Sequence, residues 1–328
     1  MIISQTPFRI SFVGGGTDLP VFYTQHGGKV VSTAIDKYIY ITVKRQNKLH
    51  EHKIRVGYSK TENVEKVEDI EHPIVRTTLQ FLDIDEPIEI TTTSDIPAKT
   101  GLGSSSAFTV GLLHALHAYK NEYVTKERLA QEAVHIEMQL LQRPIGKQDH
   151  YASAYGGLNS IIFHPDDSVT VNPVLCGKES IKELFDSLML FYTGITRDST
   201  KILGEQKDVT NQEDKTRSLL QMKEMTAQME KILEEGVNPK RIGELLHRGW
   251  IEKKSLVSGI SNFELDTYYE KALAAGAHGG KLLGAGGGGF FLLSVPNDRR
   301  ESVKSALSNL IELPIGFSSE GSRIMFYT

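Results

Sequence analysis

Three glycine-rich segments punctuate the chain: Gly14-Gly15-Gly16-Thr17-Asp18, Gly101-Leu102-Gly103-Ser104-Ser105-Ser106 and Gly284-Ala285-Gly286-Gly287-Gly288-Gly289. Glycine gives up more backbone freedom on folding than any other residue, so such clusters mark tight turns or backbone that approaches a ligand closely. The middle segment is the most readable. Pro97-Ala98-Lys99-Thr100 leads into it, and the apolar run Ala107 to Tyr119, with a helical pattern, follows directly. Flexible amides at the positive end of a helix form an anion site, and serine hydroxyls can bond phosphate or ligate a hard cation. An ordinary serine cap fits the same residues, so this segment alone leaves phosphate binding open.

Two familiar nucleotide signatures are excluded by inspection. Gly-Lys occurs at 28, 146, 177 and 280, and none has the glycine five residues earlier that a P-loop requires. Gly284, Gly286 and Gly289 match G-x-G-x-x-G, but the run FFLLSV that follows reads as a strand, where a dinucleotide fold needs a helix.

The first half alternates β-rich runs (35–45, 53–58, 87–94) with helical patterns (107–119, 126–142) and a hairpin about HPDD. Helical patterns at 215–235, 239–256 and 262–275 dominate the second half. They are followed by a buried strand at 289–295, a helix at 298–310, and strands at 313–318 and 322–328. At 328 residues the chain suits two domains, and the change of character places the division at 1–178 and 179–328. The formal net charge is only −4, so no global field collects nucleic acid or anionic lipid, and any anion site must be built locally. Cys176 is the only cysteine, which excludes an intrachain disulfide and a multi-thiolate zinc site. With no leader or membrane-length apolar run, the expectation is a soluble, cytoplasmic protein.

Among the polar residues, Glu137 stands out. A 3.6-residue period places Ala133, Val134, Leu140 and Leu141 on one face with Glu137 in its middle. A carboxylate there wants a basic partner or a magnesium ion. Asp149 follows just past that helix, where a loop can aim it into a cleft. Arg197 and Lys281 are cations beside flexible loops. Met222, Met225 and Met229, at helical spacing, read as core.

Taken in order, PFRISFVGGGTDLP, PAKTGLGSSSAFTVGLL and KLLGAGGGGFFL resemble the three motifs of the GHMP kinase superfamily over nearly the whole chain. The resemblance implies an α+β fold of two domains: an N-terminal ribosomal-protein-like α/β domain and a C-terminal ferredoxin-like α+β domain, with the active site between them. It implies ATP and Mg²⁺ as cofactors. The loop of Pro97, Lys99, Gly101, Leu102, Gly103, Ser104, Ser105 and Ser106 would wrap the ATP phosphates, and Ser105 with Glu137 would hold the metal. Asp149 matches the catalytic aspartate, and Arg9 the basic position of the first motif.

The G-G-G-T-D-L-P form resembles the branch of that superfamily acting on D-glycero-D-manno-heptose 7-phosphate, and it lacks the Glu-His pair that galactokinases carry before Thr-Asp. The implied activity is phosphorylation of the anomeric hydroxyl, feeding nucleotide-activated heptose for surface polysaccharide. Gly16, Thr17, Asp18, Gly286 and Gly287 would line the sugar, while Lys147, Arg197 and Lys281 are candidates for its phosphate. The expected partners are this sugar phosphate and ATP, without nucleic acid or membrane. Another sugar 1-kinase of the superfamily, acting for instance on L-fucose, and a catalytically silent sugar- or nucleotide-binding regulator remain the alternatives.

Overall fold

The computed structural model describes residues 1–47, 49–195 and 199–328. Twelve strands are described: β1 (Ile2–Val13), β2 (Gly28–Arg45), β3 (Ile54–Gly57), β4 (Thr61–Val64), β5 (Ile88–Ser94), β6 (Leu158–Phe163), β7 (Val169–Pro173), β8 (Leu188–Tyr192), β9 (Gly279–Leu282), β10 (Phe290–Ser294), β11 (Ile311–Glu312) and β12 (Arg323–Tyr327). Eight form one sheet in the order β12-β1-β2-β5-β3-β4, with β6 and β7 branching from β2. The branch exists because the 18 residues of β2 serve two partners. Its first stretch, Gly28–Thr33, pairs with β6, and its second, Ile39–Arg45, pairs with β5. The other four strands form a sheet in the order β11-β8-β10-β9.

β1 was not evident from alternation, because it is buried nearly throughout and reads as a mixture of apolar and polar residues. Its polar side chains are satisfied locally: Ser4 Oγ donates to the Gly111 carbonyl at 2.7 Å, and Thr6 Oγ1 lies 2.8 Å from Ser322 Oγ. Pro7 is tolerated because pairing with β12 has ended at Gln5 and pairing with β2 shifts register between Pro7 and Arg9. Helix Ser104–Tyr119 packs on β1 and β2, and helices Lys126–Val134 and Gln148–Tyr155 pack beside it.

Two apolar cores result. One lies around the larger sheet, with Phe8, Ile10, Phe12, Ile41 and Leu112 fully buried or nearly so. The other gathers Phe191, Trp250, Tyr269 and Phe291 on the smaller sheet. Helix Glu213–Glu235 serves both, with Leu219 and Met222 in the second core and Met225 and Met229 in the first. The methionine row is therefore core, as its spacing implied.

Three expectations need correction. Division after residue 178 separates β12 from its sheet: the strand pairs antiparallel with β1, and the chain termini meet, with the Met1 amino group donating to the Thr328 carbonyl at 2.8 Å. Residues 313–318 form no strand beyond a single bridge between Phe317 and Ile35. The helix expected over 126–142 is α-helical only to Val134 and winds as a π-helix from His135 to Leu140. The wider turn shifts the phase of the apolar stripe, leaving Leu140 exposed while Ile136 and Glu137 are buried. Among the described residues no helix is long and apolar enough to cross a membrane.

The junction of β12 with helix Ser104–Tyr119 is pH-sensitive. His114 Nδ1 lies 3.0 Å from Ser322 Oγ, and burial, aided by His117, pushes the imidazole down to about 4. A histidine held neutral stabilises the fold fully above its unfolded value near 6.5, and that contribution is lost as pH falls toward about 4. We predict a loss of up to about 3 kcal/mol in urea-unfolding free energy over this window from His114, reduced in H114Q. Identical pH dependence of the two proteins would refute this.

Candidate active site

Arg9, near the middle of β1, has a side chain only 4% exposed, and its guanidinium forks onto Asp149: Nε lies 2.6 Å from Oδ1 and Nη2 2.7 Å from Oδ2. Its remaining nitrogen, Nη1, donates to the Gly101 carbonyl at 2.9 Å. One side chain thus joins β1, the first turn of helix Gln148–Tyr155 and the central glycine loop. The bidentate geometry fixes the carboxylate plane and leaves each oxygen a lone pair for a hydroxyl. Asp149 is 23% exposed, so a ligand can reach it.

The loop 97–106 is shaped by a few bonds. Leu102 is fully buried and its carbonyl accepts from the Arg9 amide at 3.3 Å. Lys99 adopts φ 64°, and its amide donates to Ser104 Oγ at 3.3 Å. Pro97, Lys99 and Ser105 are exposed, whereas Ser106 is buried. The first helical bond runs from the Ala107 amide to the Gly103 carbonyl. The amides of Ser104, Ser105 and Ser106 therefore have no acceptor within the helix and face outward at its positive end. Against this loop lies the third glycine segment. A Cβ on Gly284 would stand 2.5 Å from the Gly101 Cα, and one on Gly101 would stand 2.7 Å from the Leu283 carbonyl oxygen. Gly101 and Gly284 have positive φ, 86° and 74° respectively, so no other residue type fits either place without strain.

Glu137 is fully buried between three helical segments. It accepts from Ser105 Oγ at 2.6 Å, Thr109 Oγ1 at 2.9 Å, Arg143 Nη1 at 2.7 Å and His150 Nε2 at 3.1 Å. Burial pushes its carboxyl up, but His150, Ser105 and Arg143 more than offset this and hold it at about 2. Ser105 Oγ and Glu137 Oε2 are hard oxygen donors of the kind Mg²⁺ takes, and they converge at the helix start, where Arg143 Nη1 donates to both, so a Mg²⁺ bound there would take the place of that guanidinium. The Arg143 guanidinium, 2.6 Å from that Ser105 oxygen, neutralises the same pair. Among the described residues no group of three His, Cys, Asp or Glu could hold a metal. A cation held by Ser105 and Glu137 must therefore complete its shell with phosphate oxygens and water.

On the other side of Asp149, Asp18 is 2% exposed and accepts from the Gly16 amide, the Gln148 amide and Gln148 Nε2 at 3.0, 3.2 and 3.1 Å. A Cβ on Gly146 would lie 1.9 Å from Asp18 Oδ2, so any side chain there would displace the Asp18 carboxylate. Burial and the nearby Asp149 charge raise the Asp18 carboxyl above its usual range. Gln148 Oε1 and Ser11 Oγ are buried without hydrogen-bond partners. A Cβ at Gly15 would stand 3.7 Å from the Gln148 amide nitrogen and 3.8 Å from that Ser11 oxygen, so both side chains border Gly15. Orphaned buried polar atoms beside two carboxylates make a setting for hydroxyl groups. Neither Gln148 nor Ser11 was singled out from the sequence, since only the fold brings them to Asp18.

Several expected substrate residues are committed elsewhere. Thr17 is fully buried and bonds the Gly14 and Lys29 carbonyls at 2.7 and 3.0 Å, closing its own turn. Lys147 donates to Asp167 Oδ1 at 2.6 Å and lies over the Tyr23 ring, so it fixes the hairpin turn. Lys281 donates to the Ser11 and Phe12 carbonyls at 3.1 and 3.0 Å. Gly286 and Gly287 pack on Ile260, whose carbonyl accepts the Gly287 amide at 2.8 Å. Arg197 lies outside the described residues. The sequence reading also missed Lys253, a buried cation whose ammonium donates to the Gly284 carbonyl.

E137Q removes the charge that Arg143 and His150 surround, and we predict a loss of about 3–5 kcal/mol in urea-unfolding free energy at pH 7. A loss below about 1 kcal/mol would show that the carboxylate is not structurally required.

Comparison with known proteins identifies the family. Residues 72–157 match the GHMP kinases N terminal domain and residues 229–312 the GHMP kinases C terminal domain, together just over half of the chain. The D-glycero-alpha-D-manno-heptose 7-phosphate kinase of Campylobacter jejuni is 29% identical over 315 residues, 93% of each protein. The galactokinase of Pyrococcus furiosus is 27% identical over 341 aligned positions, 93% of this chain and 92% of that one. The crystal structure of a D-glycero-D-manno-heptose 1-phosphate kinase from Bacteroides thetaiotaomicron superposes with a TM-score of 0.80 over the full length of both chains at 24% identity, which speaks for the fold. With both domains matched in order and a related fold from end to end, the chain belongs to the GHMP kinase superfamily.

Proposed function

We propose that this protein transfers the γ-phosphoryl group of ATP to the anomeric hydroxyl of D-glycero-D-manno-heptose 7-phosphate, giving the 1,7-bisphosphate. The observation that carries the reading is the Arg9–Asp149 fork. It stands between the helix start at Ser104 and the buried polar cluster of Asp18, Gln148 and Ser11. Phosphates belong on the first side, where the amides of Ser104 to Ser106 point outward. Sugar hydroxyls belong on the second, where Asp18 accepts and the unpartnered Gln148 Oε1 and Ser11 Oγ complete the hydrogen bonding. The named activity of the Campylobacter jejuni relative supports heptose over other acceptors.

In the reaction, the acceptor oxygen bonds to the γ-phosphorus as the bond to the β–γ bridging oxygen breaks and ADP leaves. Asp149 accepts the hydrogen bond of the attacking hydroxyl and takes its proton, while Arg9 holds the carboxylate in plane. Mg²⁺, held by Ser105 and Glu137, would neutralise charge on the phosphate oxygens. Leu102 and Gly101 position the loop by burial and by backbone contact. We place the protein in the cytoplasm, in synthesis of nucleotide-activated heptose.

The test is ADP release with ATP and Mg²⁺ across D-glycero-D-manno-heptose 7-phosphate, mannose 6-phosphate, mannose, L-fucose and galactose, with phosphorus NMR of the product. Turnover confined to the heptose phosphate, with a new anomeric phosphate signal, is expected. Turnover on a neutral sugar alone would overturn the branch, and none on any acceptor would overturn the kinase reading. D149N should retain ATP binding and lose turnover by about 10²–10⁴-fold; near-normal turnover would remove Asp149 from its role.

A further inference from the structure

Lys253 sits in the last turn of helix Pro239–Leu256, in the second half of the chain, and is only 7% exposed. Its ammonium carries three hydrogens. Among the described residues it makes one hydrogen bond, to the Gly284 carbonyl, and no ion pair. Two hydrogens of a buried cation are thus left without a protein acceptor, an arrangement whose cost falls when an anion occupies the space.

The surroundings say where that anion lies. Gly284 touches Gly101, and the Gly101 carbonyl holds Arg9 Nη1. Lys253 and Arg9 are therefore pinned to the two carbonyls of one glycine contact, and the carboxylates that act on Lys253 electrostatically are Asp149 and Asp18. Lys281, the third buried cation nearby, gives two of its hydrogens to the Ser11 and Phe12 carbonyls. Lys254, next on the helix, pairs with Asp266 at 3.0 Å.

We propose that Lys253 is a catalytic residue of this site, a second cation that donates to a phosphate oxygen placed between it and Arg9. The inference rests on the phosphotransferase reading above. Phosphoryl transfer moves charge among the phosphate oxygens without creating a new nucleophile, so fixed cations around those oxygens are a main lever on rate. The phosphate is either the γ-phosphoryl group of the nucleotide or the ester already on the acceptor. Burial, reinforced by the Arg9 charge and only partly countered by Asp18 and Asp149, pushes the Lys253 ammonium down to about 8. The cation is present at neutral pH and is lost as pH rises through that value.

The test uses K253Q, which removes the charge while keeping a donor for the Gly284 carbonyl, and K253R, whose charge does not titrate. Circular dichroism and thermal midpoints establish that each folds. Calorimetry compares binding of ADP with that of the β,γ-imido analogue of ATP. Steady-state kinetics then give kcat and KM from pH 6.5 to 9.5 with phosphorylated and neutral sugars. We expect K253Q to lose at least about tenfold in one phosphate-dependent quantity. K253R should recover it and lack the alkaline decline near pH 8 expected of the natural protein. A loss confined to triphosphate-analogue binding and kcat assigns the γ-phosphoryl group, and a loss confined to the KM of phosphorylated sugars assigns the ester. Unchanged analogue binding, kcat and KM in folded K253Q, or an alkaline decline identical in K253R, would overturn the proposal. If the natural protein binds the analogue but phosphorylates no sugar, the calorimetric arm decides the proposal while the acceptor reading fails separately.

Discussion

Two glycines from distant parts of the chain, Gly101 and Gly284, bring their backbones together with no side chain between them, and the composition of the cleft follows from that approach. The first belongs to the loop that starts helix Ser104–Tyr119, the second to the turn after β9. Each of the two carbonyls accepts from a buried cation. Gly101 holds Arg9 and, through it, Asp149, while Gly284 holds Lys253. A methyl group at either position would push the loops apart and with them both cations. The glycines therefore act less as flexible hinges than as the absence of bulk that lets the two halves share one site.

The same economy of space explains why so many charges can be buried. Arg9, Glu137, Asp18, Lys253 and Lys281 are each under a tenth exposed in a chain whose formal net charge is −4. Burial of one such charge alone would cost several kcal/mol, roughly the whole margin of a typical domain. Glu137 accepts from four donors, and Arg9 spends three of its five N–H donors on the fork and a carbonyl. Asp18 is raised in pKa, and Lys253 is lowered and under-bonded. Glu137 is fully paired, whereas Arg9, Asp18 and Lys253 keep hydrogen-bonding capacity that a ligand with complementary groups would use.

Much of the frame was legible in the sequence, and the reasons differ from residue to residue. The start of helix Ser104–Tyr119 could be placed because glycine and serine chemistry at a helix start is local. Glu137 could be singled out because a charge on an apolar face contradicts the pattern around it. Yet the assignment of Leu140 to that face failed, since a π turn changes the period within one helix. β1 escaped notice because burial on both sides erases alternation, and β12 was assigned to the wrong half because pairing of chain ends is invisible to local pattern. Lys147 and Lys281 attracted attention as cations beside loops, but only three dimensions reveal that Asp167 and two carbonyls already hold them.

Lys253 shows the limit most plainly. In sequence it is one of two adjacent lysines near a helix end, a position where cations are expected to interact with the last carbonyls and with solvent. Lys254 does what that expectation says, pairing with Asp266 on the neighbouring helix. Lys253, one residue earlier and about 100° around the helix axis, points inward at the turn that follows β9. The chemical difference between the two comes entirely from what the helix packs against. Of the three cations expected for the substrate phosphate, Lys147 is paired with Asp167 and Lys281 gives two hydrogens to carbonyls. Lys253 gives one and has two still to give.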